Sequence, residues 1–460
     1  MTMGHTSPLG KIKGVIVIIC LVLILGILGC AYISDSNTSV LDKDEITNKI
    51  EVMDEKGVSY SYISSYLKRY GIGNINAYKI NEAETKINDN FYKELPDRQK
   101  MAKTIASLFI EHFYDTIDLN DKNAVTDAVL QCYIYALEDP YAYYRTAKQY
   151  SDYTEDLEGG ENFVGIGIQF DRNTNEINMV YKDSGAYEAG IRAKDIFYGV
   201  EDKTTDDTDV DTLLEMVKGE AGTTVKIKIK RDGEVMEFDV TRKVLTERTV
   251  SYKILDNNIG YIYISQFLGT TADEFIEAVD YCTEMNASAL VIDVRYNPGG
   301  LLSSVISVID YLTPDAADRM IVSYTQTSGN QIYYTTDGHG VDVPIAVICN
   351  EFTASAGELF TAAMRDYGKA GVLDTVVVGT TTYGKGIVQS SFYLYDTSAL
   401  TFTIGYYNPP SDVNFHGVGV APDFEVDEVA EEDKPLDTAI EKVQLLVDEN
   451  VNTAAYGYAA

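Results

Sequence analysis

Apolar residues recur at helical spacing between Arg98 and Ile117 (Met101, Ile105, Leu108, Phe109, Phe113), which predicts an amphipathic helix. A second helix is predicted from Ala124 to Leu137, stopped by Asp139-Pro140. The period then changes to two. Asn162 to Phe170 reads as a strand entered through a glycine-containing loop. Val225, Ile227 and Ile229 alternate with Lys226, Lys228 and Lys230, and Asp232-Gly233 turns that strand into a return strand. After Val244 strands and helices alternate: strand Ile259–Ile264, helix Ala272–Thr283, strand Ala289–Val294, helix Leu301–Leu312, strand Ile345–Cys349, helix Gly357–Arg365. That order implies an α/β core with crossover helices.

One stretch has no polar face at all. The twenty residues from Gly14 to Ile33 carry no charge, enough at ~1.5 Å per residue to span a hydrocarbon core of ~30 Å. Lys11 and Lys13 precede the run; Asp35, Asp42, Asp44 and Glu45 follow it. Positive charge on the near side predicts a cytoplasmic N-terminus and an exported body. An uncleaved single-pass signal anchor in the cell membrane is the preferred reading; a lipoprotein signal, with Cys30 of Ile27-Leu28-Gly29-Cys30 lipid-anchored, is the alternative.

Of the 460 residues, 37 are Lys or Arg and 71 Asp or Glu, a formal charge of −34. So acidic a chain repels phosphate backbones, and nucleic-acid binding is set aside. With 45% apolar and 23% charged residues, wholesale disorder is excluded too. Beyond Cys20 and Cys30, three cysteines (Cys132, Cys282, Cys349) sit singly in apolar patterns. They form neither a disulfide framework nor a metal site and read as buried thiols; no cofactor or metal is implied.

Candidate chemistry gathers where strands meet helices. Ser355 lies between the Cys349 strand and the following helix, facing unsatisfied helix N–H groups. Read alone, it also fits a simple N-cap. Asn297-Pro298-Gly299-Gly300 links another strand to its helix, and bare glycines there can leave N–H groups free for an oxyanion. Lys385 in Tyr383-Gly384-Lys385-Gly386 is flanked by glycines that permit close packing around an amine, though such a lysine is ordinarily a solvated loop residue. Gln389 could orient that amine. None of the four histidines (His5, His112, His339, His416) shares a loop with a plausible nucleophile, so a Ser-His-Asp triad is not the natural reading.

The order of motifs resembles the carboxy-terminal processing peptidases, or tail-specific proteases, from about residue 100 to 430. It runs from Leu137-Glu138-Asp139-Pro140-Tyr141 through a PDZ-like module to Asp293-Val294-Arg295-Tyr296-Asn297-Pro298-Gly299-Gly300. The Ser355 segment, Tyr383-Gly384-Lys385-Gly386 and Gly417-Val418-Gly419-Val420-Ala421-Pro422-Asp423 complete it. The resemblance implies an α/β core of the crotonase/ClpP-like protease kind, an inserted PDZ domain and a helical N-terminal region. It implies a serine endopeptidase with Ser355 as nucleophile, Lys385 as general base and Gln389 beside it. Ala356 N–H and Gly299 or Gly300 would hold the oxyanion. Phe163, Val164, Gly165, Ile166, Gly167 and Ile168 would bind a substrate's C-terminus, with Ile166 and Ile168 as the apolar wall. Thr353 and Gly357 stand where the family usually has Ser, and Tyr383 where it has Phe. The thirty-residue Ser355–Lys385 spacing is a few residues longer than usual, through Gly368–Thr375.

The expected divisions are 1–13 cytoplasmic, 14–33 anchor or lipoprotein signal, 34–97 an extension of no assigned role and 98–150 a helical region. PDZ at 151–245, protease core at 246–430 and a helical tail at 431–460 follow. Expected partners are proteins or peptides with accessible C-termini and the cell membrane; homo-oligomers are left open. The rival reading is a non-catalytic ligand- or peptide-binding protein on the same core.

Overall fold

Valine- and isoleucine-rich runs, buried on both faces, make the central sheet. Its order is Val250–Ile254, Ile259–Ile264, Ala289–Asp293, Ile345–Cys349, Thr375–Gly379, Phe424–Glu425. The first pair is antiparallel and every later pair parallel. Continuous apolar strands such as Ala-Leu-Val-Ile-Asp and Ile-Ala-Val-Ile-Cys are what a sheet covered on both sides requires. Helices Thr271–Glu284, Leu302–Leu312 and Ala356–Lys369 supply one cover. The other is the Lys434–Gly457 helix, whose Ala439 and Val443 are fully buried against Ile259, Val291 and Ile348. The segment expected as a tail is therefore a structural layer.

The computed structural model describes residues 62–457 apart from 70, 160–161, 171–173, 182–183, 193, 247, 315–318, 327–328, 330, 337 and 430–431. The apolar run at 14–33, with Cys30, lies outside them. Among the described residues, no helix is long and apolar enough to cross a membrane.

A second, antiparallel sheet is built around the Ala399–Asn408 strand, which pairs with Ile387–Tyr393 on one side and with Tyr143–Arg145 and Met320–Gln326 on the other. The N-terminal helices clamp onto this sheet. Tyr92 N–H donates to Thr403 O, and Asp139 Oδ2 accepts from Thr403 N–H at 2.9 Å. Helix Ala77–Asn90 belongs to the clamp: Ile80, Ala83 and Ile87 are buried in the same apolar cluster as Phe109 and Val129. The part of 34–97 that is described is thus packed scaffold. Its Lys79 ammonium is buried between Asp127 (2.9 Å), Asp396 (2.7 Å) and the Tyr144 hydroxyl (2.7 Å).

The PDZ module has its own core of Ile166, Ile177, Phe197, Leu213, Val217, Val225, Ile227 and Ile229. The predicted hairpin is present as Thr224–Arg231 against Glu234–Thr241, closed by Asp232 (φ 53°) and Gly233 (φ 83°). Helix Ala147–Gly159 runs across the expected boundary at 151, so the module begins at Asn162. Cys132, Cys282 and Cys349 are free and buried, and burial pushes each thiol up to about 12, as expected for inert packing groups.

Replacing Lys79 by Met strands two carboxylates beside a buried hydroxyl. Because Asp396 is 36% exposed, the cost falls at or below the low end of that for orphaning a buried charge, about 2–3 kcal/mol. The thermal midpoint of the full chain is expected to fall by several degrees; an unchanged midpoint would show that the buried pair does not secure the clamp.

Candidate active site

Ser355 closes the turn between the Ile345–Cys349 strand and the Ala356–Lys369 helix, with φ 54° and ψ −117°. A non-glycine residue held there stores about 1–3 kcal/mol of strain and persists only where its surroundings enforce it. The enforcing group is Glu358, three residues on and with no exposed surface. Its Oε2 accepts from Ser355 N–H (2.9 Å) and from Lys385 N–H (2.7 Å); its Oε1 accepts from Gly384 N–H and from Thr382 Oγ1–H, both 2.6 Å. One carboxylate thus joins the serine turn to the lysine loop. Burial pushes the Glu358 carboxyl up, and these donors, Thr382 foremost, pull it back.

Lys385 is fully buried, as Gln389 is, and its Nζ lies 4.4 Å from the centre of the Tyr141 ring. Its carbonyl accepts from the Tyr407 hydroxyl at 2.8 Å. Burial raises that phenol well above its ordinary value. The Ser355 hydroxyl lies beside the Tyr407 hydroxyl and is itself buried. The flanking glycines serve close approach: a Cβ on Gly386 would lie 2.9 Å from His416 N, and Gly384 has φ 96° with the 417–419 backbone packed on it.

The Asn297–Gly300 turn abuts the serine. A Cβ on Gly299 (φ 103°) would fall 2.7 Å from Ser355 Cβ and 2.9 Å from Ala356 N; one on Gly300 (φ 142°) would strike Phe267 O at 2.0 Å. Buried Asn297 fixes the turn by donating to Ile264 O and accepting from Gly299 N–H at 2.8 Å, while Ala354 N–H donates to Asn297 O. Gly299 N–H is therefore engaged and must be released before it can meet an oxyanion, which favours Gly300 beside Ala356. Arg295 braces the same turn between Asp293 (2.6 Å) and Asp433 (2.8 Å).

The structure brings Ser355, Ala356, Gly299 and Lys385 together. Gln389 is less engaged: its amide reaches Ile387 O and Thr403 Oγ1 at 3.4 Å, and its Oε1 is buried without a partner. The departures at 353 and 357 compensate each other, since the Thr353 methyl lies 3.1 Å from where a Gly357 Cβ would be. The Gly368–Thr375 stretch makes the turn from helix to strand, partly at the surface and well before Lys385.

In the PDZ module, Phe163 and Val164 are exposed, and Gly167 (φ 76°) packs on Ser184. Ile166 is 3% exposed and packs inside the module's core. Ile168 and Phe170 remain half-buried beside the cluster containing Leu213, on a strand that among the described residues pairs with Ile177–Val180.

Glu358 is the residue that reading for nucleophile and base misses. Its signal is the Ser355-x-x-Glu358 spacing of a capping box, in which the Glu358 carboxylate accepts from Ser355 N–H. His416 is the other surprise: it lies against the Gly384–Lys385 loop, where burial holds its imidazole below the ordinary value.

Known proteins bear on this arrangement. Residues 258–426 match the model of peptidase family S41, and residues 164–241 match that of the PDZ domain. A "Probable CtpA-like serine protease" of Staphylococcus haemolyticus is 33% identical over 341 residues, covering 72% of this chain and 65% of the relative. One from Staphylococcus saprophyticus is 29% identical over 338 residues, covering 73% and 66%. The chain therefore spans just under two thirds of the length of these relatives. A solved photosystem II D1 C-terminal processing protease superposes with TM-score 0.44 at 20% identity, covering 76% of this chain and 92% of that one. The serine turn and the lysine loop thus lie within a peptidase family S41 domain at 258–426, preceded by a PDZ domain at 164–241.

Proposed function

We propose that this chain is a serine endopeptidase that recognises polypeptide C-termini through its PDZ domain and cleaves with a Ser355/Lys385 dyad. The observation that carries the reading is the shared Glu358 carboxylate, which sets the strained serine turn and the buried lysine in one fixed frame. In the step proposed, Lys385 takes the hydroxyl proton as Ser355 Oγ attacks the peptide carbonyl carbon. Ala356 and Gly300 N–H groups receive the oxyanion. The C–N bond then breaks as the ammonium returns its proton to the leaving amine, and water hydrolyses the acyl-enzyme with the same amine as base. Gln389, its Oε1 lacking a partner, would turn to orient Lys385 when substrate is seated. We also place the body outside the cytoplasmic membrane, tethered by the 14–33 anchor or by lipid at Cys30, a reading that rests on the charge asymmetry of that run.

Either Ser355→Ala or Lys385→Ala should abolish cleavage of an unfolded protein, and the double variant should be no worse, because groups acting as a unit are not additive. Activity should rise with pH, since a lysine base works only after losing its proton. Burial holds His416 below the ordinary histidine range, so it is neutral over that rise and His416→Ala should keep turnover. A folded but inactive His416→Ala would contradict the dyad.

Tail recognition predicts a difference between two peptides identical except at the end. One with a free, apolar C-terminus should be cleaved about ten- to a hundredfold more efficiently than its amide, from the ~1.5–3 kcal/mol carried by charge-assisted bonds to the carboxylate. Equal rates would contradict recognition of the tail and leave the dyad standing.

A further inference from the structure

Lys385 carries an aromatic cover that neither the serine nor the oxyanion turn explains. The Tyr141 ring lies over Nζ at 4.4 Å from its centroid, within the range of an ammonium–π contact. The ring is set there with care. Asp139 is buried, accepts from Tyr141 N–H at 3.1 Å with one oxygen and from Thr403 N–H at 2.9 Å with the other. The Asp139–Tyr141 turn is thereby fastened to the strand that also carries Tyr407. On its far side the Tyr141 hydroxyl meets Tyr383, from the same loop as Lys385.

We propose that Tyr141 is the electrostatic partner of the base: its ring face stabilises the ammonium that forms on Lys385 as Ser355 gives up its proton. The inference rests on the Ser355/Lys385 reading and adds to it. A fully buried amine must become charged in mid-reaction, which burial opposes. A π face opposes that penalty without giving up a hydrogen-bond acceptor that would compete for the proton. The other titratable groups around the lysine are Tyr383 on its own loop, Glu358 from the helix, Tyr407 from the Ala399–Asn408 strand and His416 from the loop beyond, with Lys93 near His416. Of these, Glu358 is already saturated by four donors.

The sign is specific. Removing the ring makes the amine easier to deprotonate and a weaker base. Tyr141→Leu should move the rising limb of kcat/KM to lower pH by about 0.4–1.5 units and lower its plateau about three- to tenfold. Tyr141→Phe, which keeps the ring and loses the hydroxyl, should hold both limb and plateau near those of the parent chain. The assay uses the full chain, a fluorescence-quenched peptide with a free apolar C-terminus, and circular dichroism to confirm folding of each variant. A Leu variant whose limb stays put or moves to higher pH overturns the proposal. So does a Phe variant that loses as much as Leu, because the hydroxyl would then be what matters. Lys385→Ala run alongside separates the two claims: if it remains active, the dyad itself fails. If it is inactive while Tyr141→Leu matches the parent chain, only the role of Tyr141 falls.

Discussion

A carboxylate with no exposed surface accepts four hydrogen bonds, two on each oxygen, one from the serine turn beside it and three from the distant 382–385 loop. Among the described residues no cation pairs with Glu358; it is held by backbone N–H groups and one hydroxyl. An ionised carboxylate can be kept inside a protein only when its lone pairs are filled in this way. The consequence is mutual. The serine turn cannot relax from φ 54° without breaking a bond to Oε2, and the lysine loop cannot retreat without breaking its bonds to both oxygens. All four partners donate, so no neutral side chain of the same shape fills the role: an amide would turn its NH₂ toward two donors.

Around that centre the rest of the structure is arranged for close approach. Glycines occur at 299, 300, 384 and 386, where a Cβ would strike backbone or the serine itself. Asn297 and Arg295 hold the glycine turn from behind, and Arg295 reaches to Asp433 at the start of the C-terminal helix, so the outer layer and the site share one network. The N-terminal helices contribute through Asp139, which fixes Tyr141 over the lysine while fastening the clamp to the second sheet. Strain and burial at the site are sustained by packing on both faces of the central sheet.

Much of this is legible in the sequence for identifiable reasons. The strand–helix alternation from Ile259 to Arg365 is strongly periodic, and the structure reproduces it within a few residues, the last helix running on to Lys369. Ser355, Lys385 and the Asn-Pro-Gly-Gly turn stand out because glycines and strand ends mark where backbone must bend or approach. What escapes is what depends on three-dimensional closure. Met320–Gln326 and Ile387–Tyr393 become strands by pairing with Ala399–Asn408, a contact that no local period encodes. Residues 434–457 read as a tail because an amphipathic helix does not announce which sheet face it covers. The burial of Ile166, in the break between two short strands, is likewise not encoded by local alternation. Glu358 looks like an ordinary N3 residue until the 382–385 loop folds back upon it.

The most direct measurement is the reactivity of Ser355 toward a fluorophosphonate, followed by mass spectrometry in the parent chain and in Glu358→Gln. Circular dichroism at the same temperature establishes that both are folded. Loss of the carboxylate frame predicts labelling slower by about a hundredfold or more, comparable to the cost of losing a positioned catalytic group. Labelling of folded Glu358→Gln at the parent rate would show that the serine and the lysine are held in place by something other than Glu358.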